Sequence, residues 1–169
     1  MTQVTLIVLS YHRFTPQEDD YDFSRTYKQF ANDLDTKDYD LITIDDGHQS
    51  LVKACKMMED RNIRAKVFVS TDLIGQPNYC TWDEIWRVSR KHDIENHSHQ
   101  HVRLDELRDE SKIYWQIEHA NLIIKEQVGR TPRYFVAPWN SYDKRVEKAA
   151  KSLGLQTLQD RINMKNISR

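Results

Sequence analysis

Two adjacent carboxylates, Asp45 and Asp46, stand at the end of an apolar run, Leu41-Ile-Thr-Ile44, and are followed by Gly47. On a regular strand they would point to opposite faces. They can serve one site only if the strand stops and the chain turns, and glycine permits such a turn. An Asp-Gly turn carrying two solvated acids is the plain alternative on this stretch alone. A second stretch, Asp93-Ile-Glu-Asn-His97-Ser-His-Gln-His101, is also strand-like and then polar. His97 and His101 are four apart, so one turn of helix would put both on one face. Two imidazoles and one carboxylate would leave an open position on a divalent ion, the pattern of a catalytic rather than a structural metal. A third apolar run, Tyr134-Phe-Val-Ala137, breaks at Pro138.

The elements that must position these groups can be read in order. Val4 to Tyr11 reads as a strand buried on both faces, delivering His12 to its carboxyl end. Residues 13 to 23 read as an acidic, polar loop, and Ser24 as the cap of a helix bearing Tyr27, Phe30, Ala31 and Leu34. Asp40 to Asp45 is the second strand. Ser50 can cap a helix with Leu51, Cys55 and Met58 on one face. Ala65 to Ser70 is a third strand, and Thr81-Trp-Asp-Glu84 has the form of a capping box. Asp93 to His97 is a fourth strand. A helix from about 105 to 128 follows, striped by Leu107, Tyr114, Ile117, Ile124 and Val128 and ended by Gly129. Arg133 to Ala137 is a fifth strand, Val146 to Leu153 a helix, and Leu155 to Leu158 a sixth strand. Residues 162 to 169 are polar and take no assignment. Strands alternating with helices imply an α/β fold with a mainly parallel sheet, closed or nearly closed into a barrel.

A chain of 169 residues with formal charge −1 suits one compact domain spanning 1–169. A chain this long can bury about 70% of its unfolded surface. The balanced charge excludes a nucleic-acid footprint, which would be basic. The two cysteines, Cys55 and Cys80, do not make a disulfide framework, and Cys55 reads as a small core residue. No apolar stretch reaches the length of a membrane span. Val4 to Leu9 is apolar but short, with no basic segment before it, so a cytoplasmic location is expected.

Ile42-Thr-Ile-Asp-Asp-Gly47 resembles the T-F-D-D-G motif of polysaccharide deacetylases, the family with the NodB-type catalytic domain (carbohydrate esterase family 4-like). Asn96-His-Ser-His-Gln-His101 is similar to their N-H-[ST]-x-x-H motif, and Phe135-Val-Ala-Pro-Trp139 to their proline-containing third motif. Leu9-Ser-Tyr-His12 resembles the opening of the subgroup acting on poly-N-acetylglucosamine. The resemblance runs from about Val4 to Leu158. It implies a distorted (β/α) barrel with fewer than eight strands, which a chain this short could leave incomplete.

The resemblance further implies hydrolysis of an acetamide. Asp46, His97 and His101 would hold one divalent ion, zinc first and cobalt, nickel or manganese as alternatives. Asp45 matches the family's general base. Its usual arginine partner in the third motif is replaced by Val136, and Arg133 lies on the other strand face. No late histidine motif is present, so His12 takes the place of the general acid. The backbone N–H of Trp139, after Pro138, would stabilise the oxyanion. Trp139 and Tyr142 could stack on a sugar, with Tyr79 and Trp82 as weaker candidates for the same role. His48 reads as a solvated turn residue, His99 as pointing away from the ion, His92 and His119 as surface, and Glu18-Asp-Asp20 as a solvated loop. The implied function is a metal-dependent carbohydrate N-deacetylase. Its partner would be an N-acetylated sugar or oligosaccharide, nucleotide- or lipid-linked if the location is cytoplasmic, with neither nucleic acid nor a membrane span involved. The alternatives are a catalytically inactive carbohydrate-binding descendant of the same barrel, or a hydrolase of another C–N amide.

Overall fold

A computed structural model describes residues 6–21, 23–158 and 162–166. The elements are β1 Leu6–Tyr11, β2 Arg13–Thr15, β3 Ser24–Thr26, α1 Tyr27–Thr36, β4 Leu41–Ile44, α2 Leu51–Glu59, β5 Lys66–Val69 and α3 Trp82–Val88. They continue with β6 Asp93–Asn96, α4 Glu110–Val128, β7 Tyr134–Phe135, α5 Lys144–Ser152, β8 Gln156–Thr157 and β9 Ile162–Asn166. Seven strands form one sheet in the order β8-β7-β6-β5-β4-β1-β9, and every neighbouring pair is parallel. The sheet curls into an incomplete barrel. Its outer strands β8 and β9 do not pair with each other among the described residues.

Alternation along the strands explains how the sheet is covered. Val67 and Val69 of β5 join Leu9, Ile42, Ile44 and Ile94 against Phe30 and Leu34 of α1 and Leu51, Cys55 and Met58 of α2. Phe68 lies in a different cluster, with Val136 and Leu158. A third cluster packs Ile113 and Ile117 of α4 on Phe135, Val146, Ala150 and Leu155. With both faces covered, the strands read as continuous apolar runs rather than alternating ones.

Several local expectations need correction. The first helix is capped by Thr26, not Ser24, because residues 24–26 pair as a strand with Arg13–Thr15 inside the stretch expected to be loop. Thr26 and Gln29 form a reciprocal capping box. Ser50 precedes α2 without capping it, since its hydroxyl accepts from Phe14 N–H at 2.9 Å and meets His48 Nδ1 at 2.8 Å. The long helix begins at Glu110 after a single 3-10 turn, Leu104–Glu106, and Asp109 is its cap. Ile113 rather than Tyr114 lies on its buried stripe, and Tyr114 is exposed. His92 is fully buried, not on the surface, with Nδ1 accepting from Ala65 N–H at 3.1 Å. Residues 162–166 pair with β1 as an edge strand. Val4 and Thr5 of the expected first strand lie outside the described residues.

Candidate active site

The carboxyl ends of β1, β4 and β6 bring the expected polar residues together. β4 ends at Ile44, Asp45 N–H bonds to Tyr11 O at 2.8 Å, and the chain then turns through Asp46 at φ 74° and Gly47 at φ 90°. The turn needs glycine for two reasons. Its φ is in the left-handed region, and a Cβ there would lie 2.6 Å from Ile74 Cδ1. The turn sends Asp45 and Asp46 to one site, as a regular strand could not.

His97 and His101 converge through a loop, not through the helical turn expected from their spacing. Ser98 at φ 64° and His101 at φ 55° are both left-handed. Asp46 Oδ1 lies 3.2 Å from His97 Nε2 and 3.0 Å from His101 Nε2. The donor atoms of the three residues all fall within 4.8 Å of one another. His97 Nδ1 is 2.8 Å from Val136 O, and a carbonyl only accepts, so Nδ1 carries the proton. Nε2 of a neutral ring would then face a carboxylate oxygen lone pair to lone pair. That arrangement calls for a shared cation, either a proton or a metal ion. A carbonyl that orients a ligating histidine from behind is the usual second layer of a metal site. The residues therefore fit a divalent ion with two imidazoles, one carboxylate and open positions.

Charge and burial shape the acids differently. Asp45 is 5% exposed, and its Oδ1 is buried without a hydrogen-bond partner among the described residues. Burial pushes its carboxyl above the usual range, against the pull of His97 and His12. Burial acts on Asp46 the same way, but the hydrogen bonds from His101 and His97 outweigh it and hold the carboxyl well below that range.

Of the other expected residues, His12 and Trp139 adjoin this centre, whereas Tyr142 and Trp82 pack on the hydrophobic clusters rather than toward it. His12 Nε2 is 3.9 Å from Asp45 Oδ2. Pro138 is buried, and Trp139, at φ 59° and 57% exposed, donates its indole N–H to His101 O at 3.0 Å. Tyr142 donates to Thr157 Oγ1 at 3.0 Å and packs on the α4–α5 cluster. Trp82 packs on the main core. Val136 turns its side chain to Phe68 and Leu158 and contributes only its carbonyl. His99 bonds to Thr71 Oγ1 at 2.8 Å and meets His119 edge-on. The run Glu18-Asp-Asp20 is exposed, with Asp19 paired to Arg13. A cleft of about 840 Å³ opens beside Asp46 and His12, lined also by His48, Tyr79 and Tyr21. Tyr21 was not singled out from sequence, and an aromatic among loop acids was the signal for it. Glu95 was also missed. It is buried on β6 and accepts from Arg133 and Tyr134 N–H, anchoring β7 beside the site.

Residues 33–158 match the family profile described as polysaccharide deacetylase. No curated protein matches the sequence. Among solved structures, the chain is similar to the Streptococcus pyogenes deacetylase PplD in complex with acetate. That match has a TM-score of 0.83 and 14% identity, over 90% of this chain and 82% of that one. It is similar to IcaB from Ammonifex degensii, with a TM-score of 0.77 and 20% identity, over 89% of this chain and 81% of that one. It is also similar to BA3943, described as a CE4 family pseudoenzyme from Bacillus anthracis, with a TM-score of 0.56 and 14% identity. There the match covers 92% of this chain and 43% of the other. No helix among the described residues is long and apolar enough to cross a membrane.

Proposed function

We propose that this chain, which belongs to the polysaccharide deacetylase family, is a metal-dependent carbohydrate N-deacetylase. One observation carries the reading: the three-donor cluster Asp46–His97–His101 stands beside a buried carboxylate, Asp45, with an oxygen that has no partner among the described residues. A buried acid without a partner is costly, and such groups collect at functional sites.

Asp46, His97 and His101 would hold one divalent ion, and zinc suits their mixed donors, with cobalt, nickel or manganese as alternatives. When bound, the ion would polarise the acetamide carbonyl and make water acidic near neutral pH. Asp45 takes the proton of the attacking water, and its burial-raised basicity suits that role. As the carbonyl carbon gains oxygen and the C–N bond breaks, His12 delivers a proton to the leaving nitrogen. The products are acetate and a free amine. The Trp139 backbone N–H is the donor assigned to the oxyanion. The cleft beside Asp46 and His12 would receive the sugar, and the exposed Trp139, bonded to His101, would offer it a stacking face. The substrate is an N-acetylated sugar or oligosaccharide. Faster turnover of free polymer than of nucleotide- or lipid-linked sugar would discard the linked alternatives and the cytoplasmic assignment with them.

The test is metal content by elemental analysis of wild type, Asp46→Ala and His97→Ala, with acetate release from N-acetylglucosamine oligomers assayed on the same samples. About one equivalent of metal in wild type, little in the variants, and acetate release from wild type alone support the reading. No metal after zinc or cobalt is supplied would sink it. A second reading, an inactive carbohydrate-binding descendant, draws on Val136 at the family's arginine position. Metal binding and sugar binding without acetate release would favour it.

A further inference from the structure

We propose that Gln116, in the middle of α4, is a positioning residue for His101. The inference rests on the metal-site reading of Asp46, His97 and His101. The loop joining the two histidines contains two non-glycine residues in the left-handed region, Ser98 and His101. Such residues keep that conformation only where surrounding contacts impose it. Much of this loop's backbone has an identifiable hold. Asn96 Oδ1 accepts from Ser98 N–H at 2.7 Å, inside the loop's own motif. Ser98 O and His99 O accept from Thr71 N–H at 3.3 Å and Asp72 N–H at 3.0 Å. Trp139 Nε1–H holds His101 O from the far side.

The residue just before His101 is held by Gln116. Its Oε1 accepts from Gln100 N–H at 2.9 Å, and its Nε2–H donates to Gln100 Oε1 at 2.6 Å. One primary amide thus clamps both the backbone and the side chain of Gln100. Gln116 is 4% exposed, on a helix whose neighbours Ile113, Ile117 and Ala120 are fully buried. The clamp is therefore rigid in a way that an exposed side chain would not be. A buried glutamine among apolar neighbours is poorly placed for packing alone. Both of its hydrogen bonds to the loop fall one residue from His101, whose Nε2 must meet Asp46 at 3.0 Å. Gln116 touches neither the ion's donors nor the substrate cleft, so it acts through Gln100.

The experiment is zinc affinity of the metal-stripped protein by competition with a chromophoric chelator, for wild type, Gln116→Leu, Gln116→Glu and Gln100→Ala. Thermal unfolding of the metal-free proteins is measured alongside. Gln116→Leu keeps the volume and loses the clamp. It should bind zinc about 10- to 100-fold more weakly, in the range of other residues that orient ligands from behind. Gln116→Glu still accepts from Gln100 N–H, and the Gln100 amide can flip to donate to it, so affinity should return to within about threefold of wild type. A purely structural role would lower the metal-free unfolding temperature and leave zinc affinity intact, and that result overturns the proposal. If Gln116→Leu does not fold, Gln100→Ala, at an exposed side chain, carries the same comparison. It should bind about three- to tenfold more weakly, and unchanged affinity there overturns the proposal equally. Wild type that binds no zinc would instead remove the metal-site reading, so the two failures are distinguishable.

Discussion

One oxygen of Asp46 faces two imidazole nitrogens, while Asp45 beside it keeps an oxygen that faces no partner among the described residues. The two acids are neighbours in sequence and opposites in electrostatics. Histidine hydrogen bonds hold Asp46 charged, and burial makes Asp45 more basic than an ordinary aspartate. In the proposed mechanism this divides the work between metal binding and proton transfer. Asp45→Asn preserves volume and cannot take a proton. Acetate release should fall about a hundred- to ten-thousand-fold with metal content unchanged. Loss of metal in the same variant would reassign Asp45 to ion binding. Asp45, Asp46, His97 and His101 were singled out from residue type and spacing, and His12 through the family resemblance. Val136 was read as a missing arginine, whereas the structure uses its carbonyl to orient His97.

Turns and strand ends position these groups. Gly47→Ala would place a Cβ against Ile74 Cδ1 at a left-handed φ. We expect a loss of about 1–3 kcal/mol by denaturant unfolding, together with reduced metal content. Adding Ile74→Val removes the clashing methyl and should restore part of the stability. No recovery would leave backbone strain as the whole cause. Behind the sheet, His92 joins α2 to the start of β5. Its Nδ1 accepts from Ala65 N–H, which requires a neutral ring, and Glu59 lies 3.6 Å from Nε2. Burial lowers its pKa despite Glu59. Unfolded histidine takes a proton near pH 6.5 and folded His92 only below that. Its contribution is therefore complete above pH 6.5 and is lost as pH falls through the window beneath it. Urea unfolding at pH 7.5 and 5.5 should show a smaller acid-induced loss in His92→Asn, which keeps an acceptor without titrating. An identical loss would assign the acid sensitivity elsewhere. The burial of His92 was not legible, because its partners lie on other elements.

Across the whole molecule, the cluster links loops that follow β4 and β6, with β5 between them. An ion held there would tie together two loops that the sheet itself does not join. Binding to the folded state alone stabilises by mass action, about 2.7 kcal/mol when free metal is 100 times its Kd. Chelation should therefore lower the unfolding temperature of wild type and leave that of Asp46→Ala unmoved. Equal shifts in both would place the ion at another site. The incomplete barrel follows from the same topology. The sheet ends at β8 and β9, and β9 comes from a polar stretch that offered no strand pattern to read.

What could be read directly from the chain was local. Apolar runs announced β1 and β4 to β8, the Thr81 and Glu84 pairing announced α3, Gly129 ended α4, and Asp-Asp-Gly followed by His-x-x-x-His marked residues that the structure brings together. Each of these signals lies within a few residues, where periodicity, caps and backbone freedom operate. The remainder depended on contacts between distant segments. The two histidines meet Asp46 through a left-handed loop rather than a helical turn. Glu95 and Gln116 are buried with backbone N–H groups of other segments bonded to them, and His92 has its Nδ1 held in the same way. A buried polar side chain is tolerated only when such a partner exists, and a carbonyl such as that of Val136 has no side-chain signature at all. That is why both became visible only once the sheet had brought the segments together.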